Sequence, residues 1–431
     1  MGNQRQAISV LLGIAAATVL AATASADIIH VPGDFPTIQA AILAALEGDE
    51  IVVAPGVYNE AIFFNGHNIT LRSSGGPDVT TIDATGLNNH AVRCILGEGP
   101  TTVVQGFTIT GSSSGSGLFC DSSSPTVINC RFIGNQIDGI FNDSFSFTTV
   151  IDCTMSNNGS HGMRNTVQSD VTVTRCTFAD NGISGMSNQV SAPVVKNCAF
   201  RGNGGQGMSN DASLPTVANS LFTGSPSGVG AGTGSDVLLL NCTVSGNTDA
   251  GVVFDNSNIT VTNCIIWNNG AASISGTGTA VVSYSDIEFG WPGSDFSILA
   301  NPMFVSPNSG DYRLSPGSPC IDLANNAALP LGIDTDLDGN PRFVDDPKTP
   351  DCPQPGADCG DRPIVDMGAY EFQISACLWD LDGNETVGIL DLLALLAAWG
   401  SDPGGPPDFD GDGNVGILDL LALLANWGPC A

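Results

Sequence analysis

Asp408, Asp410, Asp412, Asn414 and Asp419 stand at positions 1, 3, 5, 7 and 12 of one short segment, with Gly413 at position 6. Short carboxylates and amides at alternate positions around a tight turn surround a hard cation with oxygen. The side chains at 1, 3, 5 and 12, the backbone carbonyl at 7 and a water at 9 (here Gly416) complete the shell. That chemistry is calcium ligation. Asp380, Asp382, Asn384, Thr386 and Asp391 repeat the pattern upstream, except that Glu385 replaces the turn glycine. We therefore expect Ca2+ at both loops, held more tightly at the second. Asp138, His161 and Arg164 suggest a different chemistry. Asp138 and His161 share one offset in adjacent sequence repeats, with Arg164 and Asp143 nearby. An acid, an imidazole and a guanidinium in one place form a minimal proton-transfer set. These three are the catalytic candidates, set against a chance coincidence of repeat positions.

The elements that must position them are written in the repeat itself. Cys130, Cys153, Cys176, Cys198, Cys242 and Cys264 recur at steps of 23, 23, 22, 44 and 22 residues, with Ser220 midway through the long step. A fixed period in the low twenties marks a solenoid. Three residues before each Cys stands a Val or Leu, from Val127 to Val261. Immediately before it stands Asn or Asp, or once Arg175, where the chain bends between strands. Two residues after it Phe132, Met155, Phe178, Phe200, Phe222, Val244 and Ile266 alternate inward. Asn135, Asn158, Asn181, Asn203, Asn247 and Asn269 follow at five, in position to stack as an amide ladder. The expectation is a mainly β chain: a right-handed single-stranded parallel β-helix, three short strands per coil, with coils stacked at about 4.8 Å. Residues 101–290 hold its repeats, and the Cys column is read as buried free thiols. Solenoids of the leucine-rich or WD40 type have signatures that are missing here.

Both ends of such a helix must be covered. Thr37 to Glu47 reads as an amphipathic helix with Ile38, Ile42 and Ala45 on one face, stopped by Gly48. A strand at Ile51 to Val53 and a turn at Pro55-Gly56 follow. This opening, within a cap and first coils at 27–100, resembles that of pectin lyase-like proteins, which implies a helix plugging the first coil. Residues 291–374 resemble the closing segment of bacterial secreted β-helix proteins, through Asp311-Tyr312-Arg313-Leu314, Ser318-Pro319-Cys320-Ile321-Asp322 and Asp366-Met367-Gly368-Ala369-Tyr370-Glu371-Phe372. In that segment Asp334, Asp336, Asp338 and Asn340 read as an acidic turn, with a cation site as the competing reading. Cys352 and Cys359 suit a local disulfide.

The segment VGILDLLALLA occurs at 387–397 and again at 415–425. A duplicated calcium loop followed by a helix, with Asp at position 12, resembles an EF-hand-like type I dockerin module over 375–431. The resemblance implies a small all-α calcium-binding unit that docks on a cohesin-like surface protein. It also implies antiparallel halves bracketed by a Cys377–Cys430 disulfide. Dockerins usually carry polar residues at loop positions 10 and 11. Here they are Ile389-Leu390 and Ile417-Leu418, a departure from the standard cohesin-binding pattern that leaves a cohesin-like or other surface protein as the expected partner. Mutual packing of the helices competes with docking, yet leucine nearly all round each helix exceeds what one shared face buries.

Composition limits the partners. There are 43 acidic and 12 basic residues, a formal net charge of -31. That charge excludes nucleic acid and anionic membrane surfaces, both of which need a positive field. Residues 1–26 read as a signal peptide: Arg5, an apolar run from Ile8 to Ala22, and Ala24-Ser25-Ala26 before the cut. The mature chain is then secreted or envelope-bound and has no membrane span. Two functions remain. One is a non-catalytic protein binding glycan or another surface ligand. The other is a polysaccharide lyase or glycoside hydrolase, as the pectin lyase-like resemblance implies. The Asp-Asp-plus-His set of polygalacturonase-like enzymes is missing, so the sequence favours the non-catalytic reading.

Overall fold

A computed structural model describes residues 26–352, 356–373, 379–382, 384, 386–401, 407–410 and 412–430. Residues 1–25, most of the segment read as a signal peptide, and Cys377 and Glu385 lie outside the described residues.

One coil shows how the repeat folds. A strand at Thr126–Ile128 is followed by Asn129 in the left-handed region (φ 48°), then by strands at Arg131–Ile133 and Ile140–Asp143. Each strand pairs in parallel with its counterpart one coil on: Val127 with Val150, Phe132 with Met155, Ile140 with Met163. The stack is therefore a three-faced prism of parallel sheets. Inward residues form columns, buried as expected. Every residue preceding the column of Cys and Ser from Cys130 to Cys264 has positive φ, including Arg175 at 53°. Asn and Asp adopt this conformation at low cost. Arg175 is tied instead to Asp152, its Nε and Nη2 2.7 and 2.9 Å from the two carboxylate oxygens.

The column cysteines are free and buried. The sulfur of Cys153 accepts the backbone N–H of Cys130 at 3.3 Å, and Ser220 Oγ accepts that of Cys198 at 3.1 Å. The position needs a small acceptor for the N–H just past the bend, which explains why Ser alone interrupts the Cys column. The expected Asn ladder forms, with Nδ2 to Oδ1 distances of 2.9–3.1 Å from Asn135 to Asn203 and from Asn247 to Asn269, and Ser225 standing between the two runs. A second, unanticipated ladder runs through Asn142, Asn165, Asn188 and Asn210 at 2.8–2.9 Å.

The coils start well upstream of residue 101. Ile28–Val31 pairs with Glu50–Val53, which pairs with Thr70–Ser73 and then Val103–Gln105. The plug helix is Ile38–Ala44, shorter than the sequence suggested. Thr37 Oγ1 caps it by accepting Ala40 N–H, and Ile38, Ala41 and Ile42 are buried. It ends early because Ala45 turns extended and the Asp49 carboxylate takes the Leu46 N–H at 2.8 Å.

The closing segment does more than seal the end. It runs back along the outside of the last coils, over the left-handed asparagines. Asn263 exchanges two hydrogen bonds with the Asn325 backbone at 2.8 and 2.9 Å. Asn219 donates to Thr335 O, and Asn241 to Asp366 O. Asp336 accepts the N–H groups of Asp338, Asn340 and Glu371, so the acidic turn uses its own carboxylate. The Cys352–Cys359 disulfide is present.

At the C-terminus the duplicated sequences form helices Ile389–Ala397 and Ile417–Ala425 around buried Val387, Leu395, Val415 and Leu423. Thr386–Val387 also pairs antiparallel with Gly428–Pro429, so this unit is not wholly helical as expected. Cys430 is disulfide-bonded. No helix of the described residues is long and apolar enough to cross a membrane.

Candidate functional site

The third face of the prism carries an outward row in strict register. Phe63 stands opposite Arg93, Arg93 opposite Phe119, Phe119 opposite Phe141, and Phe141 opposite Arg164. Four steps of strand spacing make a stripe about 19 Å long. Its members touch. The guanidinium of Arg93 lies 5.0 Å from the Phe63 ring centre, and that of Arg164 lies 3.8 Å above Phe141. Phe119 and Phe141 are 5.2 Å apart, and His90 stacks on Phe119 at 4.6 Å. Cations over aromatic faces hold both groups flat on the surface.

The catalytic candidates sit at one end of this row. Asp138 and Arg164 are joined, Nε to Oδ2 at 3.0 Å, and the other Asp138 oxygen accepts the His161 backbone N–H at 3.2 Å. The structure therefore brings the three residues together, but in particular roles. The Asp138 side chain is 0% exposed and Arg164 34%. Burial raises the Asp138 carboxyl above its ordinary value, against the pull of Arg164 and His161. Burial lowers His161 and also His90, the latter helped by Arg93, so both imidazoles favour the neutral form. A buried carboxylate engaged by Arg164 and the His161 backbone orients the guanidinium rather than meeting a substrate. Asp143, on the next outward position, accepts from Thr166 Oγ1.

Sequence reasoning missed the row itself. Phe141 and Arg164 each lie eleven residues after a column cysteine, but Ser187 and Ser209 share that offset. The row is continuous in space and changes residue type at almost every coil, so periodicity alone does not expose it.

The calcium candidates also assemble. Carboxylate oxygens of Asp380, Asp382 and Asp391 lie within 4.8 Å of one another, as do those of Asp408, Asp410 and Asp419. Asp391 and Asp419 sit in the first turns of their helices and accept the N–H of Gly388 and Gly416 at 2.7 Å. Asn384 and Asn414 lie in the same loops, their N–H groups bonded to Asp382 and Asp412. Asp412 is not part of the close trio, and Thr386 is drawn into the small strand pair. Beside the loops, Ile389, Leu390, Ile417 and Leu418 are 56–68% exposed.

The family described as "Right handed beta helix region" matches residues 56–170 and 165–289. The chain belongs to the right-handed β-helix family. No curated protein matches this β-helix protein in sequence. Among solved structures it is similar to the pectate lyase Pel9A, at 16% identity and a TM-score of 0.54, covering 81% of this chain and 97% of that one. The A-module of the Azotobacter vinelandii mannuronan C-5 epimerase AlgE6 is a more distant likeness, at 17% identity and a TM-score of 0.42, covering 60% and 76%. At these identities the likeness to Pel9A is one of fold.

Proposed function

We propose that this protein is an exported polysaccharide-binding β-helix, docked to a partner through a calcium-dependent, dockerin-like C-terminal unit. The row of Phe63, Arg93, Phe119, Phe141 and Arg164 carries the reading. It is long and combines three aromatic rings with two cations, which suits an extended polymer of sugar rings and carboxylates. Two of the 12 basic residues of a strongly acidic chain stand in it. A pectate lyase shares the fold, so pectate is the first ligand to test. The docking half is supported by the two acidic trios and by the exposed Ile-Leu pair beside each. A cohesin-like or other surface protein with an apolar patch fits there.

The test is affinity electrophoresis of the full chain through gels holding pectate or alginate, with and without calcium. Retardation is expected for the parent. Each of Phe141→Ala and Arg164→Ala removes one ligand-facing group from the row; a lost contact of about 1 kcal/mol weakens binding roughly fivefold. Unchanged retardation in both variants would reject the row. Release of shortened or unsaturated products, abolished by Asp138→Asn, would instead establish the lyase or hydrolase reading.

A further inference from the structure

We infer that the closing segment holds a second kind of calcium site, formed by Asp322, Asp345 and Asp351. One carboxylate oxygen from each lies within 4.8 Å of the other two. These residues come from separate turns of the closing segment, so the cluster is made by the fold and not by a local sequence motif. Asp322 is fully buried, and the Asp351 side chain is only 5% exposed. Oδ1 of each has no hydrogen-bond partner. Their other oxygens are engaged: Asp322 Oδ2 accepts Asp346 N–H at 3.1 Å, and Asp351 Oδ2 meets Arg362 at 2.6 Å. Buried carboxylate oxygens are normally paired or coordinate a metal.

The charge and ligand types point to the ion. Three carboxylates and one guanidinium leave two negative charges, which a divalent cation neutralises. All three ligand atoms are oxygen, and the nearby Cys352 is spent in a disulfide, so the site suits a hard cation. Calcium accepts six to eight oxygens in a flexible shell, which tolerates ligands fixed by a folded backbone, whereas magnesium demands near-ideal octahedral geometry.

The surroundings say what the ion would do. Cys352 N–H donates to Asp322 O at 3.0 Å, and Tyr284 Oη donates to Asp358 O at 3.1 Å. Tyr284, Cys359 and Ile364 share one apolar cluster with Phe296. An ion at the three aspartates would clamp residues 322–351 together beside the end of the last coil. Millimolar extracellular calcium suffices for a site of this type.

The experiment counts bound calcium on the full chain by equilibrium dialysis with radioactive calcium, after stripping with chelator. Asp345 is exposed, so Asp345→Asn leaves the core untouched. It is expected to bind one calcium fewer per chain than the parent, and Asp351→Asn likewise. The same loss is expected when Asp345→Asn is placed on a chain carrying Asp380→Ala and Asp408→Ala, which separates this site from the C-terminal loops. Melting gives a second readout. With chelator, Asp345→Asn melts no lower than the parent, because a repelling charge is gone. With calcium it melts lower. Equal stoichiometry in parent and Asp345→Asn, or a parent whose melting ignores calcium, would overturn the site.

Discussion

Asn158 shows what one residue of the ladder does. Its Nδ2 donates to Phe132 O and Asn181 Oδ1, while its Oδ1 accepts both the backbone and side-chain N–H of Asn135. Asn158→Ala strands several buried polar groups at once, so a loss of about 3 kcal/mol is expected in denaturant unfolding. Asn158→Ser should cost less, because Ser225 already stands in the ladder and accepts Asn203 N–H at 3.1 Å. Cys153→Ser should cost about 1 kcal/mol or less, since Ser220 and Ser285 fill the same role in their coils. Native protein should also resist alkylation at the column thiols; rapid labelling without denaturant would contradict their burial. These columns were legible in the sequence because each coil imposes the same demand on the same position. The outward row was not, because solvent places no common demand on its members, and only pairing register reveals that Phe119 and Arg164 share a line.

At the scale of elements, the closing segment depends on what the last coils offer it. The sequence marked 291–374 as a cover but not its path, since Asn219, Asn241 and Asn263 read like Asn129. The difference is only that the later ones are overlaid by chain. One contact there is sensitive to pH. Asp286 is buried beside Cys320, and burial holds its carboxyl up at about 7, against the Ala300 N–H and Cys320. In the unfolded chain it titrates near 3.9. Between about pH 4 and 7 the folded state keeps a proton that the unfolded state gives up, so stability falls as pH rises through that window. The loss is roughly 4 kcal/mol at most. Asp286→Asn is expected to flatten that fall, measured as the urea midpoint across pH 4 to 8. Asp322, Asp366 and Glu371, also raised by burial, keep the rest of the slope. A variant with the parent's full slope would show that Asp286 does not titrate this way.

Across the whole molecule, a single-coil solenoid extends by repetition, whereas the C-terminal unit has a core of few residues. Val387, Leu395, Val415 and Leu423 are its fully buried apolar side chains, and Leu393, Leu396, Leu421 and Leu424 are largely exposed. So small a core leaves most of the orientation of its helices to the acidic loops, where carboxylates repel until a cation joins them. The proposal of calcium-dependent docking therefore carries a ranking of the two loops. Gly413 adopts φ +82°, and its N–H reaches Asp408 Oδ2 at 2.9 Å, which closes the second loop. Glu385 holds the matching sequence position of the first loop, and a left-handed turn costs a residue with Cβ about 1–2 kcal/mol more than glycine. The second loop also brings four carboxylates, Asp408, Asp410, Asp412 and Asp419, against three in the first. Roughly tenfold tighter binding at the second loop is the consequence. In full-length protein titrated with calcium and followed by tryptophan fluorescence, Trp399 and Trp427 report from the ends of the two helices. Asp408→Ala is expected to remove the high-affinity phase and Asp380→Ala the weaker one. The reverse assignment would mean that the turn glycine does not set the order of binding.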